Sequence, residues 1–177
     1  MSAVEFLAWA ENQPRGRYEL VDGLIVAMAP ERADHARSKF QVCAALTNAI
    51  KRAGVPCEAF VDGLSVRIND TTVYEPDTLV NCGPRIPGDA VLAPNPVIVV
   101  EVLSPSTQHI DKARKLIDYF SIAAVHHYIL IDIERRAIVH HQRGAGETVA
   151  TAIYRQGQIA LNPPGLTLET EELLDLA

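Results

Sequence analysis

Several things are scarce in this 177-residue chain, and each scarcity excludes something. Apolar runs such as VIVV and YILI are short, far below the roughly 18 residues that span a bilayer. The first stretch, MSAVEFLAWAENQPRGRYEL, has no basic segment ahead of its apolar residues and carries Glu5 and Glu11, so no signal peptide is expected. Cysteine is limited to Cys43, Cys57 and Cys82. That odd, widely spaced set without a CxxC pair predicts neither a disulfide framework nor a zinc knuckle, and a reducing cytoplasm is the expected compartment. Positive charge is also short: 16 Lys and Arg stand against 22 Asp and Glu, a net charge of −6. This excludes a strongly basic nucleic-acid wrapper but not an enzyme that meets nucleic acid through a local patch and metal ions. Ten glycines and eleven prolines are too few for a collagen-like or low-complexity chain. What is present, 48% hydrophobic and 21% charged residues without a repeat, is ordinary globular composition, expected to form one domain over residues 1–177.

Pattern places the elements. Residues 3–11 fit a short helix with Phe6, Leu7 and Trp9 partly buried. In RYELVDGLIVAMAP two apolar runs flank Asp22-Gly23, a pair suited to the positive φ of a tight hairpin, so residues 17–28 read as two antiparallel strands. Asp34 can cap the next stretch, where Phe40, Cys43 or Ala44, Leu46 or Thr47, and Ile50 recur every three to four residues. Gly54 stands where a helix ends, giving a helix of about 18 residues. CEAFVDGLSVRI repeats the strand, Asp-Gly, strand pattern around Asp62-Gly63, and TTVYEPDTLV leads into another short strand. NCGPRIPGDAVLAPNP, with four prolines and two glycines, is a surface loop. VIVVEVLS is apolar on both faces, as a buried central strand is. Residues 107–121 have helical spacing (Ile110, Ala113, Leu116, Ile117, Phe120), and HYILIDI is a second buried-type strand. AIVHHQ and ETVATAIYRQGQIAL add further strand, and LTLETEELLDLA closes with a short helix. The order predicts an α/β, more narrowly α+β, fold: a mixed β-sheet flanked by helices, with an N-terminal β-hairpin.

Chemistry concentrates in two carboxylates bracketing the proline-rich loop. Asp77 follows Pro76 at the start of a strand, and Glu101 interrupts an apolar run. A carboxylate in a buried strand costs several kcal/mol unless it is paired or binds a metal. Two carboxylates on adjacent strands can share a hard cation such as Mg²⁺, which can activate water and neutralise charge on a phosphodiester. The plainer alternatives are that Asp77 belongs to a Pro-Asp turn and that Glu101 pairs with a buried Arg or Lys. On the next helix Asp111, Lys115 and Tyr119 share one face at i, i+4, i+8. Lys115 can reach the strand end to orient or deprotonate water, or form an ordinary exposed pair with Asp111. Ser104 and Ser106 orient the site or cap the helix, capping being the simpler account. His126-His127 and His140-His141 are adjacent pairs in strands, pointing to opposite faces, so no separate zinc site is expected. Lys112, Arg114, Lys115, Arg15, Arg17, Arg32, Arg37 and Lys39 could touch phosphates, or form a solvated face.

The blocks YELVDGLIV, EPDTLV, EVLSPST, DKARKLIDYF and HYILID, in this order, resemble the Uma2 family of restriction endonucleases, within the PD-(D/E)xK nuclease superfamily. The resemblance runs from about Tyr18 to Leu168. It implies a restriction-endonuclease-like core. It also implies Asp77 and Glu101 as ligands of Mg²⁺ (or Mn²⁺), with the Val102 carbonyl as a third. The superfamily's lysine falls two residues after the acid, where this chain has Leu103; the resemblance implies Lys115 as its substitute. It adds Glu19 as an acidic site residue and His35 as a phosphate or site contact. Their alternatives are an exposed strand residue beside a hairpin and a partly exposed helix residue.

These readings lead to a Mg²⁺-dependent phosphodiesterase acting on nucleic acid, expected to be a DNA endonuclease and a homodimer, with no membrane partner. Two rivals are kept: a catalytically inactive dimeric binding module on the same scaffold, favoured by Leu103 and the acidic charge, and a hydrolase of another phosphate ester.

Overall fold

The computed structural model describes residues 1–103 and 112–175, without the side chain of Lys112. Helix α1, Ala3–Ala10, starts on a reciprocal cap in which Ser2 and Glu5 bond each other's backbone N–H, satisfying two otherwise free donors. Strands β1, Tyr18–Val21, and β2, Leu24–Ala27, form the expected hairpin. Asp22 (φ 50°) and Gly23 (φ 78°) both take the left-handed backbone that such a two-residue turn requires.

Helix α2, Ala33–Ala53, departs from expectation at its start and on its face. Its N-cap is Arg32, without a side-chain cap, and Asp34 lies in the first turn, bonded to Arg37 at 2.6 Å. The buried face runs His35, Ser38, Lys39, Val42, Ala45, Leu46, Ala49 and Ile50, while Phe40 is 71% exposed. The first third of that face is polar because it meets carboxylates, so apolar periodicity picked the wrong stripe there. Gly54 (φ 65°) ends the helix by donating to the Ile50 carbonyl at 2.9 Å, as expected.

Beyond it come β3, Cys57–Val61; β4, Val66–Asn69; β5, Thr72–Tyr74; β6, Thr78–Cys82; and β7, Pro96–Leu103. Helix α3, Lys112–Ser121, precedes β8, His127–Asp132; β9, Ala137–Arg143; and β10, Val149–Tyr154. The chain closes with β11, Gln158–Leu161; β12, Leu166–Glu169; and α4, Glu171–Leu174. The main sheet has the order β10-β9-β8-β7-β6-β3, and its one parallel pair is β7 with β8. A smaller sheet has the order β2-β1-β5-β4, and β11 pairs with β12. The fold is thus mixed α+β, as expected. No helix among the described residues is long and apolar enough to cross a membrane.

The second Asp-Gly pair does not make a hairpin. Asp62 (φ 51°) and Gly63 (φ 70°) turn the chain, but β3 then pairs with β6 and β4 with β5. The turn hands the chain from one sheet to the other. The β3–β6 register sets Cys57 opposite Cys82, and they form a disulfide across 25 residues of sequence. This corrects the expectation of unpaired cysteines and removes the ground for expecting a reducing compartment. Only strand register brings the two together, and spacing does not encode register.

The central strands of the main sheet are buried on both faces, whereas edge strand β10 is exposed. On one face, α2 and the β11–β12 hairpin cover Ile98, Val100, Val102, Ile129 and Ile131. On the other, Tyr119 of α3 packs with Leu79, Val99, Tyr128 and Leu130. β7 alternates between them, which puts Glu101 on the α3 side.

Candidate active site

Asp77, at the bend just before β6, is pinned by the neighbouring strand: the Val102 N–H donates to its Oδ2 at 2.7 Å. It is 4% exposed. From α2, His35 Nε2 lies 3.4 Å from the same oxygen, and Lys39 Nζ lies 3.9 Å from Oδ1. His35 Nε2 also lies 2.9 Å from the Val102 carbonyl. That oxygen only accepts, so Nε2–H donates. Burial opposes a charge on His35, but Asp77 and the Val102 carbonyl outweigh it and raise its pKa.

Glu101 receives two donors on Oε1: Lys115 Nζ at 2.9 Å and the Tyr119 hydroxyl at 2.9 Å. Both come from α3, where the i, i+4 spacing sets them on one face. Lys115 also donates to Glu19 Oε1 at 3.0 Å and lies 4.9 Å above the Tyr74 ring. Glu19 accepts the Glu75 N–H at 3.1 Å and is 2% exposed. Burial is the main cause that pushes Glu101 up to about 7. Lys115 opposes it, and the charges of Asp77 and Glu19 add to it. Burial works against the Lys115 charge, but Glu101 and Glu19 prevail and hold its pKa above the ordinary lysine value.

Glu19, Asp77, Glu101, Lys115 and His35 all line one cleft of about 240 Å³, which residues 26–32 also line. Of the sequence candidates, Asp77, Glu101, Val102, Lys115, Glu19 and His35 therefore come together there, and Tyr119 stands behind them on Glu101. Ser104, Ser106 and Asp111 lie outside the described residues. The exposed readings of Glu19, His35 and Lys115 give way to burial. The pairing alternative for Glu101 is realised, by Lys115.

The readings of Lys39 as a phosphate contact or part of a solvated face give way to burial among carboxylates. Lys39 is 1% exposed, bonds Glu31 and both oxygens of Asp62 (2.7 Å each), and faces Asp77. Arg17 adds bonds to Glu31, Asp62 and Glu75. The available signal was spacing: Lys39 stands i+4 from His35 and so shares its face. His127 and His140 meet across neighbouring strands. The Pro163 carbonyl can only accept, so His127 Nε2–H donates to it at 2.8 Å, leaving His127 Nδ1 to accept from His140 Nε2–H at 2.9 Å.

The donor set suits a hard divalent cation. Four carboxylates (Glu19, Glu31, Asp77, Glu101) line the cleft with Lys115 and Arg32, and among the described residues no donor reaches Oε2 of Glu101. Carboxylate and carbonyl oxygens are what Mg²⁺ and Mn²⁺ favour.

Comparison with known proteins agrees with this architecture. Two curated relatives are uncharacterized proteins of Synechocystis: slr1290, 28% identical over 173 residues (97% of this chain, 90% of its own length), and sll1609, 30% identical over 146 residues (81% of each). The crystal structure of a "putative nuclease belonging to DUF820" from Anabaena variabilis matches with a TM-score of 0.76 at 17% identity, covering 99% of this chain and 98% of that one; the likeness is one of fold. The model of Uma2, described as "Putative restriction endonuclease", matches residues 3–177, wider at both ends than the quoted motifs. The chain belongs to the Uma2 family.

Proposed function

We propose that this protein hydrolyses phosphodiester bonds of nucleic acid with a divalent cation, Mg²⁺ or Mn²⁺, and that it cuts DNA internally. The descriptions of the family and of the structural neighbour support a nuclease. The observation that carries the reading is the contact of Lys115 with Glu101 at 2.9 Å, in a cleft that also holds Asp77. The lysine missing at Leu103 is supplied by α3.

Asp77, Glu101 and the Val102 carbonyl would hold the cation, which supplies Lewis-acid polarisation of phosphate and a lowered pKa for bound water. The chain's own groups do the rest. Lys115 remains protonated between two carboxylates, so it donates instead of acting as a base. Its charge offsets negative charge building on the phosphate in the transition state. Glu19 and the Tyr119 hydroxyl fix the lysine and Glu101 relative to each other. Arg32, on the cleft wall, is the basic group available to a neighbouring phosphate. Cutting both strands of a duplex calls for two clefts, so the proposal includes a homodimer, which light scattering on the purified protein tests.

One observation favours the second reading, a non-catalytic dimeric binding module. Arg17, Lys39 and Arg114 are all bound to carboxylates, which leaves little positive charge for DNA. The deciding experiment incubates plasmid with protein and Mg²⁺ or Mn²⁺, beside Asp77→Ala and Glu101→Ala. Nicking that falls about 100-fold or more in both variants is expected. Nicking unchanged in both removes the nuclease reading. Inert protein that still binds DNA supports the binding module. Turnover of small phosphate diesters without nucleic-acid binding points to another phosphate ester.

A further inference from the structure

The imidazole of His35 is accounted for on only one side. Its Nε2–H donates to the Val102 carbonyl at 2.9 Å and lies 3.4 Å from Asp77 Oδ2. Nδ1, on the other side, is buried and has no hydrogen-bond partner. The residue is 8% exposed, so solvent compensates little. What faces Nδ1 is Oε2 of Glu31, 3.9 Å away. That oxygen is an acceptor too, while the other carboxylate oxygen of Glu31 takes the contacts from Arg17 and Lys39. A bare nitrogen lone pair turned toward a carboxylate in a buried site is unfavourable.

Moving the ring hydrogen from Nε2 to Nδ1 resolves that side, because Nδ1–H then points at Glu31. It also turns the Nε2 lone pair toward the Val102 carbonyl and Asp77 Oδ2. Three acceptors then converge, at 2.9 and 3.4 Å from the nitrogen, and a second ring proton or a metal cation reconciles them. Those separations match the ligand-to-ligand edges of about 3.0 Å that an octahedron with bonds near 2.1 Å produces. Ligand-capable atoms of Glu31, His35 and Asp77 all lie within 4.8 Å of one another.

We propose that His35 ligates the divalent cation directly through Nε2, beside Asp77 and the Val102 carbonyl, and that the Glu31 carboxylate, 3.9 Å from Nδ1, favours the ligating tautomer by attracting Nδ1–H. The inference rests on the cleft being a cation site, as read under Proposed function. It makes Glu31 a positioning residue: a metal-bound imidazole held by a carboxylate on its far nitrogen. It also predicts metal choice. An imidazole ligand moves preference away from Mg²⁺, which favours oxygen, toward Mn²⁺ and the later divalent metals.

The test uses the full chain with Mn²⁺ and reads binding by calorimetry and the metal's surroundings by electron spin-echo spectroscopy. The wild type should show nitrogen coupled directly to Mn²⁺. His35→Gln should keep a Mn²⁺ site but lose that coupling, with its Mn²⁺-over-Mg²⁺ preference narrowed. Glu31→Ala should weaken Mn²⁺ by about 10–100-fold, and Glu31→Gln, which keeps an acceptor oxygen, should recover most of the loss. Mn²⁺ bound to the wild type without nitrogen coupling, or coupling that survives His35→Gln, overturns the inference and leaves the cation reading standing. Failure of the wild type to bind Mn²⁺, or binding indifferent to Asp77→Asn, overturns both. The wild-type spectrum decides the point even if a variant folds poorly.

Discussion

Replacing Lys115 with methionine keeps the length of the side chain and removes its charge. Glu19 and Glu101, now bridged at 3.0 and 2.9 Å, would be left in a buried site with no cation between them. Removing one partner of a buried ion pair costs about 3–5 kcal/mol. For a protein of this size that lowers the melting temperature by about 6–20 °C. The sign of the pH dependence follows from the carboxylates. Glu101, already pushed up to about 7 in the wild type, rises further without the lysine's opposing charge, so the variant's folded state holds a proton that the wild type releases. The penalty is therefore largest at alkaline pH and shrinks as pH falls to about 7, below which Glu101 is protonated in both proteins and the difference levels off. Thermal melts of wild type and Lys115→Met from pH 8 to pH 5 measure it, since other titrating groups cancel in the difference. Adding Glu19→Gln and Glu101→Gln to the methionine variant should return most of the loss. A Lys115→Met protein that melts within about 1 °C of wild type at pH 8, or whose deficit is the same at every pH, would refute the bridging role.

Two further outcomes are expected. Burial lowers His127 and His140 to about 4 each, against an ordinary 6.5; as pH falls from 6.5 to 4 the unfolded chain takes up protons first, and stability drops by up to about 3 kcal/mol per ring. NMR titration should find both imidazoles neutral at pH 5, and a midpoint near 6.5 for either would contradict their burial. Reducing the Cys57–Cys82 bond opens a loop of 25 residues, worth roughly 3 kcal/mol, so dithiothreitol should lower the melting temperature by about 6–12 °C; three titratable thiols in the untreated protein would show that the bond is absent.

Parts of the site could be read from the chain because they break a local rule. Glu101 is a charge inside an apolar strand, and Lys115 and Tyr119 declare a shared helix face by spacing alone; the structure joins all three. Asp22-Gly23 carries its turn in two residues and folds as expected. What could not be read depends on partners distant in sequence. Asp62-Gly63 has the same turn chemistry, but turn chemistry sets only local φ, not the strand that pairs next. Lys39 is buried among other charges, and a hydrophobic period is blind to a polar group buried that way. Phe40 misled for the converse reason: it fits the period yet faces solvent. Glu19 came from family resemblance, since a lone acid in an exposed-looking hairpin carries no mark of its partner 96 residues away.

The single parallel step in the main sheet, β7 to β8, obliges the chain to climb over the sheet before returning. That bridge brings Lys115 back above Glu101 from 14 residues downstream. Address in the chain and location in space thus become separable: a short linear signature written for acid-x-lysine passes over this protein, while a template of atoms in three dimensions would retrieve it. Searches for proteins with the same cluster gain reach by allowing the ammonium group to come from the overpass helix.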